Sequence, residues 1–257
     1  MKRVDLVVVV SLGPECEIRT ALDLVESVEA YTTSSRTIVV ADHSGHGSGR
    51  RVQEAHRDVH VSEMDADDAD DHSLDVSYVH LARVFAEVLR GHQFDALLRM
   101  GDDAVIAAPH PEADAIACFD DDLLVGAAGR YRAGAGSAAR RIRQEMFRPR
   151  ALIDDTRGTL GRWRVLAQAR RHGYVAGERV EGDACFYSYT ALKALAANGY
   201  LPKMSLARTG LPDDEIFAMT LRASGYHFCD LSDPDASVAR TWTDLFASSH
   251  HQSSPTG

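Results

Sequence analysis

Polar and apolar positions along this chain fall into blocks, each with its own period. Val4–Leu12 is apolar almost without a break and rich in valine, the pattern of a strand covered on both faces. Glu17–Tyr31 carries Ile18, Ala21, Leu22, Val25 and Val28, a stripe at helical spacing. Arg36–Ala41 predicts a second strand, which runs out at Asp42-His43-Ser44-Gly45, and a short third strand is predicted near Val59–Val61. Ser77–Leu89 returns to helical spacing through Val79, Ala82, Val84, Phe85 and Val88. Phe94–Met100 is a strand again and ends at Gly101-Asp102-Asp103. Strands that alternate with helices predict an α/β fold, a single Rossmann-like domain with a mostly parallel central sheet flanked by helices. Ligands of such sheets bind beyond the carboxyl ends of the strands. Asp42 and Asp102-Asp103 follow two such ends, so both are expected on one edge, where a ligand would sit.

The second half is less regular. Glu112–Phe119 has a helical pattern, and Leu123–Ala128 an extended one. Arg130–Arg150 holds seven arginines among small residues. Arginine suits bidentate contacts to a diphosphate or an acidic partner, but a solvated segment that balances the acidic body explains the run as well. Thr190–Asn198 predicts a helix stopped by Gly199, and Asp213–Ser224 a helix stopped by Gly225. Pro212 stands before the latter, and Asp213, Asp214 and Glu215 put negative charge where the helix dipole favours it. Ala247–Gly257 is polar and predicts a mobile tail. No repeat and no Pro-, Gly- or Ser-rich linker divides the chain.

Charge and cysteine content narrow the function. The 257 residues carry a net charge of −10, which gives no overall footprint for nucleic acid. The longest apolar run, Leu6–Val10, is far shorter than a membrane span, and the N-terminus lacks the long core of a signal peptide. Cys16, Cys118, Cys185 and Cys229 share no Cys-x-x-Cys spacing, so free thiols and a cytoplasmic location are expected. The sequence contains no His-Glu-x-x-His, no Gly-x-Ser-x-Gly and no Walker-type loop, which counts against a zinc hydrolase, a serine hydrolase and a P-loop kinase. Gly13-Pro14 does not complete Gly-x-Gly-x-x-Gly either.

The acids remain. Asp102-Asp103 at a strand end would suit Mg²⁺ or Mn²⁺, which take one or two carboxylates when a substrate diphosphate supplies the rest; a solvated turn is the plain alternative. Asp120-Asp121-Asp122 is a literal Asp-x-Asp, but it ends a helix pattern, where acids oppose the dipole and are usually just solvated. Glu63–Asp71 packs six acids into nine residues without the glycine or terminal Glu of a calcium loop, so a solvated loop is expected. Asp42 could accept hydrogen bonds from a ribose or base, or close an Asx turn with Ser44 and Gly45.

In this order the pieces resemble the GT-A-fold glycosyltransferases. Phe94-Asp-Ala-Leu-Leu-Arg-Met-Gly-Asp-Asp-Ala-Val-Ile106 is similar to that family's strand leading into an Asp-x-Asp-like motif, with Gly101 where the first acid usually stands. Glu181-Gly-Asp-Ala-Cys-Phe-Tyr-Ser-Tyr-Thr-Ala-Leu-Lys-Ala-Leu195 resembles its acceptor-side strand-then-helix. Asp213-Asp-Glu-Ile-Phe-Ala-Met-Thr-Leu-Arg-Ala-Ser-Gly-Tyr226 resembles the helix that begins Glu-Asp and ends Leu-Arg-x-x-Gly-Tyr. The resemblance implies one domain over 1–257: a nucleotide-sugar half at 1–110, an acceptor half at 111–246 and the tail at 247–257. It implies transfer of a hexose-type sugar from a nucleotide-diphosphate donor, UDP among the candidates, to a small-molecule or saccharide hydroxyl. Asp214, paired with Asp213, takes the base position of inverting members. Ser11, Leu12, Asp42, Arg83, Asp102 and Asp103 are expected around the donor. Asp103, Asp102 and His250 are expected around a divalent metal, with His251 an alternative and His227 a weaker one. A homodimer is compatible with this reading. A nucleotidyltransferase is the rival enzyme, although the acidic Ser11-Leu-Gly-Pro-Glu-Cys-Glu-Ile18 is not its basic Gly-rich loop. A non-catalytic nucleotide-binding or scaffold protein is the third reading, supported by Gly101.

Overall fold

The computed structural model describes residues 1–33, 35–63, 76–102, 104–146, 156–232 and 246–248. Its first half runs β1 (Lys2–Arg3), β2 (Leu6–Leu12), α1 (Ile18–Tyr31), β3 (Arg36–Asp42), α2 (Ser48–Ala55), β4 (Val59–Glu63), α3 (Val76–Gly91), β5 (His92–Gln93), β6 (Ala96–Met100) and β7 (Ala104–Ile106). The second half runs α4 (Glu112–Asp121), β8 (Val125–Arg132), α5 (Gly136–Met146), α6 (Thr156–Arg171), β9 (Arg179–Ser188), α7 (Tyr189–Ala197), the one-turn α8 (Met204–Ala207), α9 (Asp213–Ala223), β10 (His227–Asp230) and β11 (Phe246–Ser248).

Seven strands form one sheet in the order β10-β8-β9-β6-β2-β3-β4. β4, β3, β2 and β6 are parallel, β9 is antiparallel to both β6 and β8, and β10 runs with β8. The mostly parallel α/β sheet expected from the sequence is therefore present. Its two faces explain the unbroken apolar run of β2. Val7 and Val9 enter one core with α3, α6, α7 and α9, while Leu6, Val8, Val10 and Leu12 enter the other with α1, α2 and α4. A strand covered on both faces shows no polar alternation. Each such Val or Leu contributes about 1.5–3 kcal/mol by leaving water.

α2 and α6 are among the helices that escape the sequence pattern. α2 buries only Val52 among its apolar residues, so it shows no stripe. In α6, Val165, Leu166 and Ala169 are buried, but the arginines on either side of them, Arg162, Arg164, Arg170 and Arg171, mask the period. The arginine run is also more ordered than a solvated segment: Arg130 and Arg132 lie on β8, and Arg140, Arg141 and Arg143 on α5. Ala247 and Ser248, expected at the start of a mobile tail, instead pair with Val105 and Ala104 of β7. The expectation of four free thiols is corrected for two of them, because Cys118 of α4 is disulfide-bonded to Cys229 of β10; Cys16 and Cys185 are free. No helix among the described residues is long and apolar enough to cross a membrane.

α9 and β10 close onto β8 through a glycine. A Cβ on Gly126 would lie 2.7 Å from Cβ of Tyr226 and 3.0 Å from Cδ2 of Leu221. Gly126→Ala should therefore destabilise the protein by about 1–3 kcal/mol through overpacking, read as a lower urea midpoint with an unchanged m-value.

Candidate functional site

The carboxyl ends of β2 and β6 lie side by side where the chain crosses from one half of the sheet to the other, and an open cavity of about 530 Å³ sits there. β2 and the loop after it contribute Ser11, Gly13 and Pro14; β6 and its loop contribute Arg99, Gly101 and Asp102. The antiparallel β9 starts at this same edge and contributes Gly182 and Asp183, while Pro212, Asp213 and Asp214 come from the start of α9. His43 and Ser77 complete the lining. The two loops lock together: the Gly13 N–H donates to Oδ2 of Asp102 at 2.9 Å, and Gly101 N–H to the Asp183 carbonyl at 2.8 Å. A Cβ on Gly13 would stand 3.0 Å from the same Asp102 oxygen, so glycine is what admits the close approach.

The α9 carboxylates are held by arginines from other elements. Asp213 Oδ2 accepts from Arg99 Nη2 at 2.7 Å and from Ser77 Oγ at 3.2 Å. Asp214 Oδ2 pairs with Arg179 Nε at 2.9 Å, and its Oδ1 accepts from the Glu215 N–H at 2.8 Å. Glu215, fully buried, pairs with Arg141 and Arg179. Burial, reinforced by the neighbouring Asp213 charge, pushes the Asp214 carboxyl up from 3.8 to about 6 despite Arg179. Asp214 is thus an anion at neutral pH that still has useful affinity for a proton.

A line of hydrogen-bonded polar groups runs back from Ser11 and His43 of the lining. Ser11 Oγ lies 3.0 Å from His43 Nε2, His43 Nδ1 lies 2.9 Å from His80 Nδ1, and His80 Nε2 lies 3.1 Å from Ser62 Oγ. One of the two facing Nδ1 atoms must carry the hydrogen between them. Burial, with His80 and Arg99 acting in the same sense, pushes His43 down from 6.5 to about 4.

The expected residues are placed unequally. Ser11, Asp102, Asp213 and Asp214 share the cavity. Leu12 is in the core of the opposite sheet face. Asp42 is buried, and its carboxylate accepts from the N–H groups of Ser44 at 2.8 Å and Gly49 at 2.7 Å; these bonds hold its pKa low against the opposing effect of burial. The turn reading of Asp42 thus has its hydrogen bonds in place. Arg83 lies half-buried on α3, outside the cavity lining. Asp103, His250 and His251 fall outside the described residues, as does nearly all of the Glu63–Asp71 run. His227 is corrected as a metal candidate: it sits at the opposite edge of the sheet, 3.0 Å from Asp122. That places the Asp120-Asp121-Asp122 run away from the cavity as well. Arg99, Asp183, His43 and Arg179 had not been expected in the site. Of these, Arg99 had a signal, a lone charge inside an apolar strand.

The lining carries four carboxylates, from Asp102, Asp183, Asp213 and Asp214, against the single guanidinium of Arg99. Among the described residues no group of three or more His, Cys, Asp or Glu forms a metal cage. An oxygen-rich, net-negative edge fits a hard divalent cation shared with a ligand, not one enclosed by protein alone.

No protein-family model matches the chain, and no curated protein matches it. Among solved structures it is similar to core-mannan synthase A from Aspergillus fumigatus in its Mn/GDP form, with TM-score 0.50 and 8% identity over 95% of this chain and 74% of that one. It is also similar to the bifunctional glycosyltransferase WbbM, with TM-score 0.47 and 12% identity over 90% of this chain. The chain spans 39% of the WbbM chain. The galactosyltransferase LgtC, in complex with donor and acceptor sugar analogues, gives TM-score 0.47 and 9% identity over 88% of this chain and 73% of that one. The first of these likenesses establishes the fold, and the two below 0.5 add nothing to it. The chain has the GT-A-type α/β fold expected from its sequence.

His43 and Asp214 should oppose each other in acid. Unfolding lets His43 take up a proton between about 6.5 and 4, so its share of stability, about 3 kcal/mol at most, is lost as pH falls through that window. Asp214 does the reverse, because the folded state protonates it first, from about 6 down to 3.8. Measured as ΔG of unfolding from pH 7 to 4, His43→Asn should lose less stability toward acid than the wild type, and Asp214→Asn more.

Proposed function

We propose that the chain transfers a sugar from a nucleotide-diphosphate donor to a hydroxyl acceptor. The observation that carries this reading is that Asp102 and the Asp213-Asp214 pair line one and the same cavity at the sheet edge. The fold it shares with a glycosyltransferase solved with Mn and GDP supports the same reading.

The electrostatics set the order of events. A diphosphate is repelled by a cavity with one guanidinium and four carboxylates, so it enters with a cation. Asp102, with its sequence neighbour Asp103, would hold Mn²⁺ or Mg²⁺ there; such an ion supplies the positive charge on which a leaving nucleoside diphosphate depends. The Gly13 N–H keeps the Asp102 carboxylate fixed. Ser11 offers its hydroxyl to the donor. Asp42 acts one step back, by ordering the turn that carries His43. Asp214 accepts the proton of the acceptor hydroxyl as that oxygen attacks the anomeric carbon, and Arg179 keeps its carboxylate aimed. The transition state is oxocarbenium-like, and direct attack inverts the anomeric configuration.

Thermal unfolding with a panel of nucleoside diphosphates, with and without Mn²⁺, tests the binding half. A nucleotide at one hundred times its Kd adds about 2.7 kcal/mol, and the Mn²⁺-dependent part should vanish in Asp102→Asn. Asp214→Asn should keep the nucleotide shift while transfer to a panel of sugar acceptors falls by about 10²–10⁴. If no nucleotide shifts the protein under any metal condition, the reading is wrong and a binding or scaffold role takes its place.

A further inference from the structure

Arg99 is out of character with its strand. β6 is Ala-Leu-Leu-Arg-Met, and all five residues are buried. Arg99 pairs across the sheet with Val9 of β2 and Cys185 of β9, and its side chain is 8% exposed. Its Nη2 donates to Asp213, while Nε and Nη1 are buried with no hydrogen-bond partner among the described residues. Unmade hydrogen bonds on a buried guanidinium are costly, and a well-packed apolar side chain at such a place is often neutral or better for stability. β9 also gives way to it: a Cβ on Gly182 would stand 3.2 Å from Nη1 and Nη2. What the arginine provides in return is a charge at Asp213.

Asp213 and Asp214 are adjacent acids at one cavity, and adjacent carboxylates compete for a proton. We propose that Arg99 is a positioning residue: it holds Asp213 in an ion pair and so leaves Asp214 as the member of the pair that accepts the proton. This rests on the reading of Asp214 as the base, yet it concerns only the protein and can be tested without substrate. The groups that face the pair are Arg99 of β6, Arg179 of β9, Glu215 of α9 with its partner Arg141 of α5, Ser77 of α3, and His43 after β3. Cys185 and Tyr187 of β9 lie beside Arg99 itself.

The experiment is a carboxyl-carbon NMR titration of the full chain labelled at aspartate, from pH 4 to 9. In the wild type one aspartate should titrate near 6, and its signal should be absent in Asp214→Asn. Arg99→Met should raise the midpoint of the pair by roughly one unit or more, since a cation at hydrogen-bond distance is lost; Arg99→Lys should keep most of the wild-type value. In the double variant Arg99→Met, Asp213→Asn the rise should disappear, because Asp213 is no longer there to compete. A loss of packing alone would not be undone by Asp213→Asn. Arg99→Lys and the double variant both keep the site electrostatically balanced, so they decide the matter if Arg99→Met folds poorly. An unchanged midpoint in Arg99→Met, a rise that survives in the double variant, or a signal near 6 that vanishes in Asp213→Asn but not Asp214→Asn, would each overturn the proposal. Failure of the nucleotide panel would remove glycosyl transfer but leave these titrations to stand by themselves.

Discussion

Burial of β2 and β6 on both faces is the constraint from which the rest follows. A strand sandwiched between two helix layers has no surface along its length, so any chemistry must gather where it ends. The chain reverses its winding direction between β3 and β6, on either side of β2, and that leaves a crevice at their carboxyl ends. Gly13 and Asp102 bridge the crevice, and β9, running the other way, brings Gly182 and Asp183 to the same edge. Arg99 is the one residue that breaks this division, a charge set inside the buried length of a strand.

Charge on this edge is organised in pairs. Asp213, Asp214 and Glu215 at the start of α9 and Glu181 of β9 each meet arginine from a different element: Asp213 meets Arg99, Asp214 meets Arg179, Glu215 meets Arg141 and Arg179, and Glu181 meets Arg130 and Arg132. A further pair, Glu178 with Arg222, ties β9's approach to the end of α9 and is joined by the Tyr131 hydroxyl. Part of the arginine run of residues 130–150 is therefore structural. It neutralises acids that would otherwise repel one another around the cavity.

The sheet was legible because its strands are unbroken apolar runs and its first helices carry regular stripes. β2, β3, β6, α1, α3 and α9 all lie within a few residues of where the pattern puts them. α2 and α6 were not legible, because a helix that buries one apolar residue, or one whose stripe is interrupted by arginine, has no period to read. The site was half legible. Asp102 follows a strand end in the sequence, Asp213 and Asp214 open a helix, and Ser11 stands near the end of its strand. His43 and Asp183 reach the cavity, and Arg179 reaches Asp214, only through sheet order and the antiparallel direction of β9, which no local pattern encodes. Asp42 shows the opposite case, a strand-end acid whose two oxygens each already accept from a backbone N–H group.

The contact between His43 and His80 through their Nδ1 atoms has one more consequence. Because the two rings share a single hydrogen there, the line from Ser11 to Ser62 has a polarity, which can run either way while both rings are neutral. With the hydrogen on His43 Nδ1, its Nε2 is bare and draws the Ser11 hydroxyl hydrogen inward, so Ser11 faces the cavity as an acceptor. With the hydrogen on His80 Nδ1, His43 Nε2 donates to Ser11, and the hydroxyl hydrogen turns outward. A concerted shift of tautomers thus inverts what this wall of the cavity offers to a visitor, without moving a heavy atom or admitting a net charge.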